Sequence, residues 1–291
     1  MRDPAFKGRT GVPEKDEWDD TLFAGTAAYY RRGRLPYAPG LVAVLGEVLQ
    51  LDGRGRLLDV GCGPGILALD LAHLFQEVVG LDPDPGMLAE AERTAGAREL
   101  RGKTRWVRAR AEELPAGLGT FTTASFGQSF HWMDRDLVAG TVRDMLRPGG
   151  SLVHVADDKS EVRSAEGLPY PAVPHERIDA LVRRYLGPDR RAGRGTVPPG
   201  VPGNEEEVLA RAGFASRERH VVPGGQALER GLDDVVAEVF SMSYSAPPLF
   251  GPNRSEFEAE LRALLRATSP AGRFSERRPS TEVRIWRKAF A

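Results

Sequence analysis

Arg56-Leu57-Leu58-Asp59-Val60-Gly61-Cys62-Gly63-Pro64-Gly65-Ile66-Leu67-Ala68-Leu69 decides the fold. The first five residues are a short, mostly apolar run closed by glycine, which reads as a buried strand. Glycines at 61, 63 and 65 follow; they suit a tight turn and let a ligand approach the backbone closely. From Ile66 to Phe75, Leu67, Leu71 and Leu74 share one helical face. Strand, glycine turn and helix together open a βαβ unit, and ligands bind such sheets outside the carboxyl ends of the strands.

Outward from this stretch the alternation continues. Glu77 to Asp82 reads as a second strand and Pro85 to Arg98 as a helix, with proline in its first turn, where a missing N–H is harmless. Trp106 to Ala109 and Phe121 to Phe126 read as further strands. Asp134 to Leu146 is a helix stopped by Pro148-Gly149-Gly150, and Ser151 to Ala156 a fifth strand. Upstream, a helix spans about Pro39 to Gln50.

Downstream the rhythm breaks. Helices are expected near Arg177 to Leu186, Glu205 to Ala212, Asp233 to Ser241 and Ser255 to Ala267, with strands at Arg217 to Val222 and Thr281 to Lys288. The reading is an α/β, Rossmann-like fold: a mostly parallel seven-stranded sheet with helices on both faces. An N-terminal arm and lid occupy 1–50, with the arm, up to about Asp20, read as mobile. A single domain occupies 51–291, with inserted helical caps at about 158–203 and 226–278.

The 291 residues carry a formal net charge of −1, which argues against a nucleic-acid partner or an anionic membrane surface. Arg31-Arg32 and Arg190-Arg191 are local clusters, not a continuous basic face. Cys62 is the only cysteine, so no intrachain disulfide forms. The first residues lack the apolar core of a signal peptide, and no apolar run is long enough to span a bilayer. A cytoplasmic, soluble protein is expected.

The glycine turn by itself also suits a dinucleotide. Its spacing does not: Ile66 stands where that fingerprint requires a third glycine. Asp59 would repel a pyrophosphate and favour an ammonium group. Asp82, closing the second strand, is placed to accept hydrogen bonds from both ribose hydroxyls of an adenosine.

With these residues in view, Leu57 to Gly65 resembles the first motif of class I S-adenosylmethionine-dependent methyltransferases, and Val79 to Leu88 their ribose-binding motif. Ala109-Arg110-Ala111-Glu112-Glu113-Leu114-Pro115 is similar to the segment flanking the adenine, and Leu146 to Leu152 to the turn before the fifth strand. The resemblance implies S-adenosylmethionine as cofactor. It implies contacts from Asp59, Gly61, Cys62, Gly63, Gly65, Asp82 and Pro83, from Met87 packed on the adenine, and from Ala111, Glu112 and the Gln128 backbone. Arg110 departs from the family, many of whose members carry an acid there to bind the adenine amine. Tyr29 to Tyr37 resembles the N-terminal lid of one branch, which implies Tyr29 and Arg34 near the methionine end.

Methyl transfer from a sulfonium is an in-line displacement, so orientation and exclusion of water are the protein's main tasks. The acceptor is expected to be a small, largely apolar molecule of the secondary-metabolite kind, touched by Phe130, His131, Met242, Tyr244 and Phe250. His131, beside Trp132 after the fourth strand, reads first as a structural residue, with the role of general base, should the acceptor have to lose a proton, as the alternative. His73, His154, His175 and His220 read as surface or packing residues. No metal is expected: the fourth strand ends in Phe126-Gly127-Gln128, and Asp157-Asp158 lacks a third ligand. An RNA or protein methyltransferase and a non-catalytic S-adenosylmethionine-binding protein are the alternatives. The sequence leaves open whether O, N or C accepts the methyl group, and the oligomeric state.

Overall fold

The computed structural model describes residues 21–157, 165–188 and 205–289. The arm expected before Asp20, and residues 158–164 and 189–203 of the first expected insertion, lie outside the described residues.

Among the described residues the main sheet has seven strands, in the order β3-β2-β1-β4-β5-β9-β6. They are β1 (Arg56–Val60), β2 (Glu77–Asp82), β3 (Thr104–Arg108), β4 (Phe121–Gly127), β5 (Leu146–Asp157), β6 (Phe214–Val222) and β9 (Thr281–Lys288). The first five pair in parallel, while β9 runs antiparallel to both β5 and β6. The strand order reverses between β1 and β4, so their carboxyl ends open a crevice there.

Successive side chains on a strand point to opposite faces, and the chain uses both. Leu57, Val78, Val153 and Ile285 join Leu41, Leu45, Leu67 and Leu71 in one core layer, under α2 (Leu41–Val48) and α3 (Ile66–Leu71). Leu58, Val60, Phe126, Leu152 and Trp286 join Val138, Val142, Val208 and Leu209 in the other, under α5 (Arg135–Met145) and α7 (Glu205–Arg211). The sequence predicts a turn at Pro148-Gly149-Gly150 between helix and strand. Instead β5 follows α5 directly, and these residues bulge from its ladder: Phe121 faces Leu146, but Thr123 already faces Ser151.

After β6 the chain leaves the sheet and builds a separate assembly before returning as β9. It comprises β7 (Ala227–Gly231), α8 (Leu232–Phe240), α9 (Arg254–Thr268) and β8 (Arg273–Arg277), joined by α6 (His175–Leu186) from the earlier connection. β7 and β8 form an antiparallel ribbon that the sequence pattern does not predict. A third hydrophobic cluster holds it together, with Phe240, Phe250, Phe257 and Phe274 almost wholly buried. The Phe250 and Phe257 rings stack with centroids 4.0 Å apart. Such aromatic pairs add about 0.5–1.5 kcal/mol beyond their buried area.

One further helix, α1 (Ala27–Gly33), lies flush on α8. A Cβ on Gly33 would come within 2.5 Å of the Ala237 and Glu238 backbone, so only glycine permits this approach. Among the described residues, no helix is long and apolar enough to cross a membrane.

Candidate active site

The glycine turn follows β1 at the crevice. Gly61, Gly63 and Gly65 have φ of 66°, 53° and 72°, a region that side chains disfavour. Two of them also face close neighbours: a Cβ on Gly61 would lie 2.7 Å from Ser129 Cβ, and one on Gly65 2.8 Å from the Trp106 ring. Gly63 faces open space.

Asp82 closes β2 beside the turn. Its Oδ2 accepts from Gly63 N at 2.8 Å and its Oδ1 from Asp84 N at 2.9 Å, so one carboxylate fastens two backbone segments. Burial raises its pKa to about 6, against the lowering effect of those two bonds. Asp84 in turn caps α4 (Pro85–Ala97), accepting from Gly86 N and Met87 N. This cap sets Met87 at the cavity wall. Asp59 sits one step back, buried, with Oδ1 accepting from Ser125 Oγ at 2.7 Å. Desolvation pushes its carboxyl up to about 7.

Asp82, Asp84 and Met87 border a cavity of about 90 Å³. Gly61, Gly63, Asp82, Pro83 and Met87 form one side. Arg110, Ala111 and Glu112 form a second, where Glu112 Oε1 accepts from Asp134 N at 2.7 Å and ties this turn to the start of α5. Gln128, Trp132 and Met133 complete the wall, and Phe23 crosses it edge-on to Trp132, with ring centroids 5.9 Å apart.

Gln128 is the hinge of the site. It has φ of 55°, uncommon outside glycine, and is held there by Gln128 N donating to Val155 O and Nε2 donating to Asp157 Oδ2, both at 3.0 Å. Gln128, Gly127 and Tyr30 also line a second cavity, of about 310 Å³, which extends beneath α8. Arg34, Tyr37, Asp157, His175, Met242 and Tyr244 contribute to its walls. Arg34 Nη2 donates to Ser241 O at 2.9 Å, and the guanidinium lies 4.7 Å from the Tyr30 ring centre. Burial and the Asp157 carboxylate push the Tyr37 hydroxyl well above its usual value.

Several residues singled out from the sequence stand elsewhere. Asp59, Cys62 and Gly65 are buried and line neither cavity; the open side of Gly65 is filled by Trp106, Ala91 and Leu69. Tyr29 turns to the helical assembly, its ring 5.2 Å from Phe240 and its hydroxyl accepting from Arg254; Tyr30, next along α1, takes the cavity side. Phe130 is 2% exposed and packs on Phe126 and His154, and Phe250 is core to the helical assembly. His131 is exposed, its ring 4.4 Å from Trp132, and faces a different cavity with His154, Glu205 and Arg284. His175, read as a surface or packing residue, lines the larger cavity with Nε2 3.0 Å from Glu276 Oε1. That cavity is also more polar than the apolar acceptor space expected: Asp157, Asp179 and Glu238 all reach it. Phe23, Trp132, Asp179 and Glu238 were not singled out as site residues. Glu238, an acid on the valine-rich face of α8, is the one with a sequence signal.

Comparison with known proteins places this geometry in a class. Residues 57–150 match the family described as Methyltransferase domain. The chain is 32% identical over 183 residues to a demethylmenaquinone methyltransferase of Thermus thermophilus, covering 60% of this chain and 81% of that one. It is 30% identical over 131 residues to a Saccharomyces cerevisiae protein named "Probable S-adenosylmethionine-dependent methyltransferase", and there it spans 43% of each chain, under half the relative's length. A solved structure described as a type II methyltransferase candidate from Anaeromyxobacter dehalogenans superposes with a TM-score of 0.54 at 24% identity, covering 89% of this chain and 99% of that one; it shares the fold. The chain belongs to the class I S-adenosylmethionine-dependent methyltransferases. S-adenosylmethionine is the cofactor that membership carries.

Proposed function

We propose that this protein transfers the methyl group of S-adenosylmethionine to a small molecule held beneath α8, with the adenosine in the smaller cavity and the methionine end directed past Gln128 into the larger. The observation that carries this reading is that the two cavities share Tyr30, Gly127 and Gln128 at the carboxyl end of β4. The residues suit the cofactor. A Cβ on Gly63 would meet nothing within 4 Å, leaving room at the turn. Asp82, though bonded to two backbone N–H groups, keeps lone pairs for ribose hydroxyls. Met87 offers an apolar wall to the adenine.

When bound, the sulfonium supplies an activated methyl and a good leaving group. What falls to this chain is positioning: α1 and the Phe23–Trp132 contact exclude water, while the Gln128 backbone and Arg34 orient the methionine end. Such orientation supplies about 7–11 kcal/mol in favourable cases. His131 is not required in this scheme, since it lines neither cavity. A volume of about 310 Å³ under helices suits a small acceptor better than a polymer. The Thermus thermophilus relative, named for demethylmenaquinone, is in keeping with such an acceptor. Calorimetric titration should show binding of S-adenosylmethionine and S-adenosylhomocysteine and none of NAD. NAD binding, or no binding of either sulfur compound, overturns the proposal.

A further inference from the structure

A methyl group passing from the smaller cavity to the larger crosses where the two meet, at Tyr30, Gly127 and Gln128. Gly127 ends β4 and offers no side chain there. A neighbour stands in its place: a Cβ on Gly127 would lie 3.0 Å from the Tyr37 hydroxyl oxygen, with Leu67 next at 3.4 Å. Tyr37 lines the larger cavity and not the smaller. Its hydroxyl is therefore on the acceptor side of the boundary, beside backbone that both cavities share.

Two attachments hold it there. The ring packs against the core layer that contains Leu41, Leu67 and Val155. Next along the chain, Ala38 N donates to Thr281 Oγ1 at 2.9 Å, and Thr281 Oγ1 donates to Asp157 Oδ1 at 3.0 Å. Asp157 Oδ2 accepts from Gln128 Nε2 at 3.0 Å, and the Gln128 side chain also reaches the Tyr37 hydroxyl, which closes the circuit. Ala38 and Thr281 are almost wholly buried, so the circuit has little room to shift. Tyr30, the other phenol at the boundary, is placed differently: it rides on α1, its ring taken up by Phe23 and Arg34.

Burial, with the Asp157 carboxylate nearby, keeps the Tyr37 hydroxyl protonated. It is a neutral dipole and not a base. A sulfonium draws charge from its methyl group, so an oxygen beside that methyl attracts its C–H bonds. Such a contact sets the direction of the methyl without entering the bonding.

We propose that the Tyr37 hydroxyl oxygen touches the transferable methyl group and aims it at the acceptor; the assignment rests on the methyl-transfer reading of the two cavities. In the transfer the acceptor's lone pair forms the bond to the methyl carbon and the C–S pair stays with sulfur. Any proton on the acceptor atom is released to solvent with the product, and Tyr37 gains and loses no atom.

Sinefungin tests this without an identified acceptor. It carries an amine where S-adenosylmethionine carries its methyl, a place that S-adenosylhomocysteine leaves empty. In calorimetric titration of the full chain, sinefungin should bind about tenfold tighter than S-adenosylhomocysteine, the effect of one hydrogen bond from a charged donor. Tyr37→Phe keeps the ring and removes only the oxygen, and should bring the two affinities to within about twofold of each other. Gly127→Ala, whose methyl would press on the hydroxyl, should narrow the preference as well, and keeps the test decisive if Tyr37→Phe does not fold. An undiminished preference in the folded variants would put another group, such as the Asp157 carboxylate, at the amine and overturn the proposal. Equal affinities in the wild-type protein, or tighter binding of S-adenosylhomocysteine, overturn it while the methyl-transfer reading stands. Binding of neither ligand overturns both.

Discussion

Asp82 and Asp59 show how two acids within one motif differ in what they can do. Asp82 lines the cavity and Asp59 does not, although the sequence pattern nominates both. Asp82→Ala should weaken S-adenosylmethionine about 10- to 100-fold, the effect of removing about 1.5–3 kcal/mol of charge-assisted hydrogen bonding. Unchanged affinity by calorimetry would remove Asp82 from the site. Asp59 is raised from the ordinary 3.8 to about 7 by burial, so the folded state holds its proton more tightly than the unfolded chain. The stability this confers is complete below about pH 3.8 and is lost as pH rises through about 7. Asp59→Asn does not titrate. Its Tm relative to wild type should therefore climb between pH 5 and pH 8, within a ceiling of about 4 kcal/mol at 1.36 kcal/mol per pKa unit. A Tm difference that stays flat over that range would show that Asp59 does not titrate there. Residue-level legibility followed contiguity. Gly61, Gly63, Asp82, Pro83 and Met87 could be named because their motifs are continuous in the chain. The sequence points to Tyr29 where packing puts Tyr30 on the cavity, and to Phe250 as wall where it is core, because which neighbour faces a cavity depends on packing that the sequence does not display.

At the scale of elements, the periodic segments were legible to within a few residues: Glu77–Asp82 and Thr281–Lys288 fall where alternation and apolar content put them. β7 and β8 were not legible. Their inward positions include Arg230 and Glu276, 6% and 3% exposed, so burial there runs against the hydrophobic pattern. Their mutual pairing at 2.8 Å is what makes that tolerable. α1 was also missed as a helix: two tyrosines, two arginines and a glycine give no apolar stripe. Its packing depends on Gly33. Gly33→Ala should drive α1 off α8, since backbone atoms at 2.5 Å cannot give way as a side-chain tip could. The expected outcome is faster proteolysis at Arg31 to Arg34 and weaker S-adenosylmethionine binding, with little loss of sheet stability. Wild-type cleavage and affinity in the variant would show that the approach is looser than described.

At the scale of the molecule, the described residues form two cores on the sheet and a third in the helical assembly. This separation predicts separable stability. Phe257→Ala removes a ring that is 0% exposed, at a cost of about 3–5 kcal/mol for such substitutions. Hydrogen exchange should show protection falling at least tenfold in α6, α8 and α9 while β1 and β4 amides keep theirs. A uniform loss would mean that assembly and sheet open as one. The position of β9 has another consequence, in the order of synthesis. Among the described residues β6 pairs in the main sheet only with β9, which also completes the pairing of β5. On the ribosome β6 emerges some sixty residues before that partner, so it must wait while the whole helical assembly is translated. Until Val283, Ile285 and Trp286 arrive, both sheet cores stay open along β5. A nascent chain stalled or cut short in that interval would carry a finished glycine turn on an unfinished sheet, and would present the bare edge of β5 to chaperones, proteases or a neighbouring copy.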